Sequence, residues 1–207
     1  MTANATRREP LVLIVLTLAG LVLSGIEPLE RGTWWMEVAP VVIGLPLLVA
    51  TYRRFPLTPL AYRLLFFHAA ILMLGGHYTY ARVPLGHWFQ ELFGSARNHY
   101  DRLGHLAQGF VPAIVAREVF IRRTPLRPGG WLFFLVTCFS LALSALYELI
   151  EWWAALLGGA AAESFLCTQG DVLDTQRDMC LALIGALSAQ WLLARRHDRE
   201  LGELLSK

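Results

Sequence analysis

The chain has little charge. Of its 207 residues, only 16% are Asp, Glu, Lys or Arg, while 56% are hydrophobic. Soluble domains carry about 25% charged residues, so this composition indicates a membrane protein. The net charge is only +2, and no basic stripe lies outside short loops. We therefore expect membrane lipid as a partner and no nucleic acid.

Two other patterns are missing. The chain has three cysteines and no Cys-x-x-Cys spacing, which argues against both a disulfide framework and a cysteine zinc site. The first apolar run, residues 11–23, is not followed by a clear Ala-x-Ala cleavage motif. We expect this run to be an uncleaved membrane helix rather than a signal peptide.

Six apolar stretches are long enough to be helices that cross a bilayer, which requires about 20 residues each. The sequence therefore predicts an all-α, polytopic bundle in one membrane domain covering residues 1–207. No internal repeat stands out. The six predicted spans are residues 10–26, 36–52, 60–80, 102–121, 130–157 and 172–194.

The distribution of basic residues predicts the orientation. If the six spans are correct, thirteen of the eighteen Lys and Arg residues lie on the side that carries both termini, and five lie on the other side. By the positive-inside rule, both termini are then cytoplasmic. On the opposite side, residues 87–93 between spans three and four are rich in aromatics. They are compatible with a short interfacial helix or with an ordinary loop.

Polar residues cluster at the outer ends of four predicted spans. Asp171, Asp174 and Asp178 are spaced by three and seven residues, which predicts one helix face. The same reasoning places Asp101 one turn from His105, and Glu148 one turn from Glu151. We expect an outward-facing polar cavity among the third, fourth, fifth and sixth spans. Glu118, by contrast, is expected to form a weak cytoplasmic ion pair with Arg117 or Arg122.

Three interpretations of this polar layer remain open. It is a metal site, a proton or cation pathway, or a hydrogen-bonded network that locks helices together. In the first, a divalent metal of unknown identity is held by Asp101, His105, Glu148, Glu151, Asp171, Asp174 and Asp178. The residues proposed for catalysis or for holding an anionic headgroup are His77, His99, Arg102 and Arg177.

Several motifs resemble those of a known family. Gly76-His-Tyr-Thr-Tyr80, the segment 98–105, Tyr147-Glu-x-x-Glu-Trp152 and the segment 168–179 are similar to the YjdF-like bacterial inner-membrane proteins, a family of unknown function. The resemblance covers nearly the whole chain. It implies an inner-membrane location and a topology, and no activity.

A weaker resemblance is to the VanZ-like membrane proteins, in which a helix start of the form Asp-Lys-x-x-His precedes a glutamate-bearing helix and spaced aspartates. Here Arg102 stands in place of the lysine, and no asparagine precedes Gly185 in the last span. This resemblance implies a role in the cell envelope. The function expected is an envelope enzyme acting on a lipid-linked or small periplasmic substrate. The alternatives are a transporter component and a structural membrane protein.

Overall fold

The computed structural model of the protein describes residues 3–158 and 168–206. Within these ranges the chain forms seven α-helices and no strands, which confirms the predicted all-α class. The helices are α1 (Ala3–Ser24), α2 (Arg31–Thr51), α3 (Pro59–Tyr78), α4 (Pro84–Phe93), α5 (Tyr100–Arg123), α6 (Gly130–Gly158) and α7 (Asp174–Leu205).

Three of the described helices are long and apolar enough to cross a membrane: α2, α3 and Gly130–Leu157 of α6. Helix α7 continues to Leu205, whereas the sequence predicts an end near residue 194. The extension is helical because Arg196 and Glu200 form an ion pair of 3.0 Å along it. Glu200 also accepts a hydrogen bond of 2.7 Å from the backbone N–H of Leu60 at the start of α3.

Helices α5 and α7 form the closest helix pair of the fold. A Cβ atom added at Gly109 of α5 would overlap the carbonyl oxygen of Ala182, and one added at Gly185 of α7 would overlap that of Leu106. Each glycine therefore lets its own helix approach the backbone of the other, as in membrane helix pairs with small residues at the crossing. Both helices begin at the same end of the bundle, so they run parallel.

A strained turn follows α3. Thr79 and Tyr80 have φ angles of 59° and 44°, in the left-handed region that non-glycine residues rarely adopt. The turn folds the Tyr80 ring back onto the bundle, where it packs on Gly75 and Gly104, at positions that a Cβ would fill. Two glycines on neighbouring helices thus make room for one buried aromatic ring.

The short helix considered from the sequence is present as α4, so the loop alternative is wrong. It begins earlier than residue 87, because Pro84 occupies its first turn. Trp88, Phe89 and Phe93 are exposed along it, as expected for a helix that lies at a membrane interface. The side-chain amide of Asn98 donates a hydrogen bond of 3.0 Å to the carbonyl oxygen of Val83 and so anchors its start.

A group of polar and charged side chains lies inside the bundle at the opposite end from Asp101. We call it the Glu118 cluster: Thr58, Arg117, Glu118, Arg122 and His197. Glu118 is 0% exposed and accepts hydrogen bonds from Thr58 Oγ1 at 2.8 Å and from Arg122 at 2.8 Å. His197 Nε2 stands 3.2 Å from the same carboxylate. The predicted ion pair between Glu118 and Arg122 is present, but it is part of a buried network, because the start of α3 and the end of α7 cover Glu118.

Candidate functional site

Three buried side chains from the parallel pair converge near its N-terminal end. Asp101 and His105 on α5 and Asp178 on α7 each offer one ligand atom, and these atoms lie within 4.8 Å of one another. Two ligand atoms bound at about 2.1 Å to one ion are at most about 4.2 Å apart, so small side-chain rotations bring the three into one coordination sphere. The close crossing at Gly109 and Gly185, one to two turns further along, fixes their relative position.

Oxygen atoms at this site lack hydrogen-bond partners. Within the described residues, Asp178 Oδ1 is buried with no donor in reach. One buried oxygen each of Asp101 and Glu148 accepts no hydrogen bond and lies 3.6 Å from its ion-pair partner, Arg97 and His105 respectively. Asp178 is only 2% exposed. A buried carboxylate oxygen without a donor is costly unless an ion or water is present. These oxygens therefore point to a bound group.

More carboxylates surround the three. His105 lies 3.5 Å from Asp101 and 3.6 Å from Glu148. Glu151 follows Glu148 by three residues on α6 and is 8% exposed. Glu37 enters from α2, and its carboxylate accepts a long hydrogen bond of 3.5 Å from the Tyr147 hydroxyl. We refer to Glu37, Asp101, His105, Glu148, Glu151, Asp174 and Asp178 as the acid–histidine cluster.

The cluster holds more negative than positive charge. It contains six carboxylates, and the arginine that contacts it in the described residues is Arg97, 2.6 Å from Asp174 and 3.6 Å from Asp101. Residues 159–167, which lie outside the described ranges, contain no Lys, Arg or His. Arg97 therefore cannot neutralise all of these acids, and a bound cation would offset part of the remaining negative charge.

Asp171 has a different environment from the one expected. It precedes α7 instead of lying on the helix, so the prediction of one shared helix face is wrong at this residue. Its carboxylate contacts Arg97 at 3.3 Å, Arg102 at 3.2 Å and also Arg177. The backbone N–H of Leu173, together with Arg177 and Arg97, lowers the pKa of Asp171 below its ordinary value. Three arginines thus occupy the carboxylate that was expected to bind a metal.

The four residues proposed for catalysis are distributed around the site. Arg102 and Arg177 both contact Asp171, so they hold the loop before α7. His77 Nδ1 lies 2.9 Å from the carbonyl oxygen of Ser24, at the connection of α1 and α2. The structure thus places these three residues beside the acid–histidine cluster and not within it, and whether they take part in catalysis stays a prediction.

His99, the fourth, lies just before α5 and contacts Ser95 Oγ through its Nε2 at 2.7 Å. Burial, with Arg102 and Arg97 nearby, lowers the pKa of His99, so its imidazole is neutral near pH 7. A neutral imidazole can accept a proton, and a role of His99 as an acid–base group stays a prediction. Ser95 was not singled out from the sequence, because an isolated serine in a loop gives no signal.

Gln169 ties the loop before α7 to the start of α5. Its side-chain amide donates to the carbonyl oxygen of Asn98 at 2.9 Å, and its amide oxygen accepts from the Asn98 N–H at 3.0 Å. Gln169 has a φ angle of 46°, so the backbone is strained where this clamp forms. This contact holds the loop before α7 against the start of α5, and so gives Gln169 a structural role.

A cavity of about 300 Å³ opens from the cluster. Its polar end is formed by Glu37, Tyr80, Asp101, His105, Tyr147 and Glu151, and the remainder is lined mainly by apolar side chains of α1, α2, α3, α5 and α6. Our sequence-based prediction placed the cavity between the third and sixth spans. Among the described residues, α7 does not line it, whereas α1 and α2 do. Helix α7 does not reach the cavity because it packs on the opposite face of α5.

Sequence reasoning missed three residues at this polar end: Glu37, Tyr80 and Tyr147. Glu37 could have been found, since a lone acid just inside an apolar span is a functional signal by itself. A Cβ at Gly76 would lie 3.0 Å from the Glu37 Cβ, so the second glycine of the Gly75-Gly76 pair makes room for α2. The inward position of Tyr80 depends on the left-handed turn and could not have been read from the sequence.

Comparison with known proteins identifies the family. Residues 9–199 match the family described as "predicted membrane protein (DUF2238)". The chain belongs to this family. It is also 55% identical, over 197 residues, to the protein of Escherichia coli (strain K12) named "inner membrane protein YjdF", covering 93% of this chain and 94% of the relative. No solved structure matches.

These findings confirm the resemblance to the YjdF-like proteins and the location. The protein belongs to the bacterial inner membrane, and its several apolar helices fit a multi-pass arrangement. The DUF2238 family is uncharacterised, and its description names no activity, metal or substrate.

Proposed function

We propose that this protein is an inner-membrane enzyme that binds one divalent metal ion at Asp101, His105 and Asp178. In this proposal it hydrolyses a lipid-linked or small envelope substrate. The observation that carries the proposal is the convergence of three buried ligand atoms within 4.8 Å. The buried Asp178 Oδ1, which has no donor within the described residues, supports it. A mixed imidazole and carboxylate donor set suits ions such as Zn²⁺ or Mn²⁺.

The cavity residues suggest how a reaction would proceed. A divalent ion held by Asp101, His105 and Asp178 would polarise a phosphoryl or carbonyl oxygen and make a water molecule more acidic. Glu151 lines the cavity and in this proposal takes a proton from that water. The water oxygen forms a bond to the phosphorus or carbonyl carbon as the bond to the leaving oxygen breaks. That oxygen then takes up the proton. Apolar walls keep other water away.

Metal analysis tests the site directly. Purified wild-type protein is expected to contain about one ion per chain by mass spectrometry of the metal. Asp178→Asn is expected to lose it, because an amide is a poorer ligand for such ions than a carboxylate. Glu203→Gln, at the exposed far end of the same helix, is the matched control and should keep the metal. Wild-type protein without stoichiometric metal after supplementation with Zn²⁺ and Mn²⁺ would end the proposal.

Catalysis needs a separate measurement. Proteoliposomes containing an envelope lipid extract are expected to release inorganic phosphate or a free acid when metal is present. Glu151→Gln should keep the metal and lose most of the turnover, since a general base typically contributes about 10²–10⁴-fold. Metal-loaded protein that releases neither product would leave a metal-binding protein without this hydrolytic activity.

We also propose six membrane spans with both termini in the cytoplasm. Helices α1, α5 and α7 would supply the spans beyond the three apolar ones. The thirteen-to-five distribution of basic residues supports this orientation. A reporter that is active only in the cytoplasm, fused after Lys207, is expected to be active. An inactive fusion beside a well-expressed control would reverse the orientation.

A transporter component is the second function with a specific observation behind it. The cavity extends from the acid–histidine cluster to Tyr52 and Tyr62 near the opposite end of the bundle, and His68 lies along it. His68 Nε2 has no hydrogen-bond partner within the described residues. Carboxylates and a histidine in a row are typical of proton relays. Proton flux into liposomes that is lost on Glu151→Gln would favour transport over hydrolysis.

A structural role is the remaining alternative. Arg97 contacts Asp101, Asp171 and Asp174 and so joins the starts of α5 and α7. Full folding and an unchanged cellular phenotype after neutralising Asp174 and Glu148 together would leave only a dispensable network. Lost folding with wild-type metal content in the residual folded protein would assign these two residues to helix packing.

A further inference from the structure

The apolar part of the cavity has no role in the chemistry proposed so far. It runs along α2 from Glu37 to Tyr52, which are fifteen residues apart and therefore about 22 Å apart along the helix. One leaflet of a bilayer is about 15 Å thick, half of its hydrocarbon core. The cavity thus extends beyond the depth of a single leaflet, while its polar groups gather at one end.

The shape of the cavity restricts its occupant. Its volume of about 300 Å³ lies at the lower end of the range for ligand sites. A cavity of this volume that extends over about 22 Å is a narrow channel. A narrow channel suits one hydrocarbon chain better than two side by side.

The walls are suited to hydrocarbon. Away from the polar end they include Leu13, Leu48, Leu65, Phe66 and Leu143, contributed by α1, α2, α3 and α6. The polar groups among them are mostly engaged: Thr17 Oγ1 donates to the carbonyl oxygen of Leu13 at 2.8 Å, and the Tyr62 hydroxyl accepts from the Leu57 N–H at 3.1 Å. His68 Nε2 is the exception, since it has no hydrogen-bond partner within the described residues. Elsewhere along these walls water gains few hydrogen bonds.

From these observations we infer that the cavity binds the single hydrocarbon tail of a lipid whose headgroup lies at the acid–histidine cluster. The inference rests on the proposed function for the chemistry of the headgroup. It adds the class of substrate: an amphiphile with one long chain, longer than one leaflet is thick, in place of a two-chain phospholipid. The tail would set the headgroup beside Asp101 and His105, where the cavity is polar.

Gly44 offers a way to block the cavity without disturbing the packing. It lines the cavity on α2, and a Cβ added there meets nothing within 4 Å. A tryptophan at this position would therefore extend into open space and fill the section available to a tail. Gly32 is the matched control, because it lies on the same helix, its Cβ also meets nothing within 4 Å, and it does not line the cavity.

The test uses a monoacylglycerol with a photoreactive diazirine near the end of its chain, incorporated into proteoliposomes. Its uncharged headgroup makes the result independent of metal binding. After irradiation, mass spectrometry of peptides is expected to locate label at Leu48 and Leu65 in the wild type. Gly44→Trp should reduce that label at least five-fold, and Gly32→Trp should leave it unchanged. Label at the exposed Trp131, which any lipid reaches, serves as the reference.

Equal label at Leu48 and Leu65 in the wild type and in Gly44→Trp, with Trp131 labelled alike, would overturn the inference. If Gly44→Trp does not fold, Gly44→Leu replaces it, with a smaller expected reduction of about two-fold. Metal content is measured on the same samples. If Gly44→Trp blocks labelling and the protein contains no metal, the tail site is retained and the metal enzyme is rejected. If the protein contains metal and Gly44→Trp does not block labelling, the metal enzyme is retained and the tail site is rejected.

Discussion

The two ends of the bundle hold buried charges in opposite ways. In the Glu118 cluster, both carboxylate oxygens of Glu118 accept hydrogen bonds, from the Thr58 backbone and hydroxyl and from Arg122, and His197 lies beside them. In the acid–histidine cluster, Asp178 Oδ1 has no donor within the described residues, and the buried oxygens of Asp101 and Glu148 have only ion-pair partners at 3.6 Å. A fully hydrogen-bonded network stabilises a fold, whereas a buried oxygen without a donor requires a separate explanation, such as a bound ion or water. The comparison supports a structural role for the Glu118 cluster and the proposed ligand site at the acid–histidine cluster.

The largest effect is expected at the lock. Replacing Glu118 with alanine leaves Arg122 and the Thr58 N–H without their buried acceptor. Removing one partner of a buried, hydrogen-bonded ion pair costs about 3–5 kcal/mol, so Glu118→Ala should unfold far more easily in detergent. Thermal unfolding measures this. Asp198→Ala is the control, since Asp198 pairs with Arg117 but its side chain is 40% exposed, and it should change stability little.

The next effect sharpens the link between the two clusters, because α5 and α7 each contribute to both. Gly109→Leu would push the helices apart at Ala182, and overpacking of this kind costs about 1–3 kcal/mol. The same change at Gly202, where a Cβ meets nothing within 4 Å, should be harmless. Thermal unfolding and metal content should both fall for Gly109→Leu. A variant that unfolds like wild type would show that the crossing is looser than described.

A smaller change in stability, in the stabilising direction, is expected at Asp178 in the acid–histidine cluster. After removal of metal with a chelator, Asp178→Asn should be as stable as the wild type or more stable by about 1 kcal/mol. The reason is that the substitution removes a buried charge with no donor for one of its oxygens. Thermal unfolding of both proteins under chelation is the measurement. A loss comparable to that of Glu118→Ala would abolish the distinction between the two clusters.

The smallest effect concerns pH and the loop before α7. The pKa of Asp171 is lowered from 3.8 in the folded protein, so its contribution to stability is fully present above that value. The contribution is lost as the pH falls through the lower folded value. The protection of residues 168–173 against hydrogen exchange, measured relative to the intrinsic rate at each pH, should therefore fall below about pH 4. In Asp171→Asn the loop should exchange faster already at pH 7, without this acid dependence.

Much of the fold could be predicted from hydrophobic runs alone. A helix is found at each of the six apolar stretches, and the boundary of α6 agrees within one residue at each end. Helix α7 extends to Leu205, beyond the predicted span of residues 172–194, because apolar length marks a bilayer crossing and not the end of a helix. Charged residues such as Arg196 and Glu200 continue a helix when they pair along its face.

The site was predictable only in part, for a physical reason. Spacing along a helix correctly paired Asp101 with His105, because residues four apart share a face. Spacing does not show where a helix begins, and for that reason Asp171 was misassigned. Nor does it show which helices touch, so Glu37 from α2 and His197 from α7 were missed. Contacts between distant helices depend on glycines such as Gly76, whose effect appears only when the helices are packed.

The close crossing of α5 and α7 has a consequence for how the chain enters the bilayer. Helices α2, α3 and α6 are long and apolar enough to cross a membrane, and α5 and α7 are less apolar. Each of these two carries an acid at its start and charged residues toward its end. Each hides the polar face of the other, yet α6 separates them in the sequence. If both helices cross the membrane, as proposed above, α5 should stay at the edge of the insertion machinery until α7 has been synthesised, so that the two enter the lipid together.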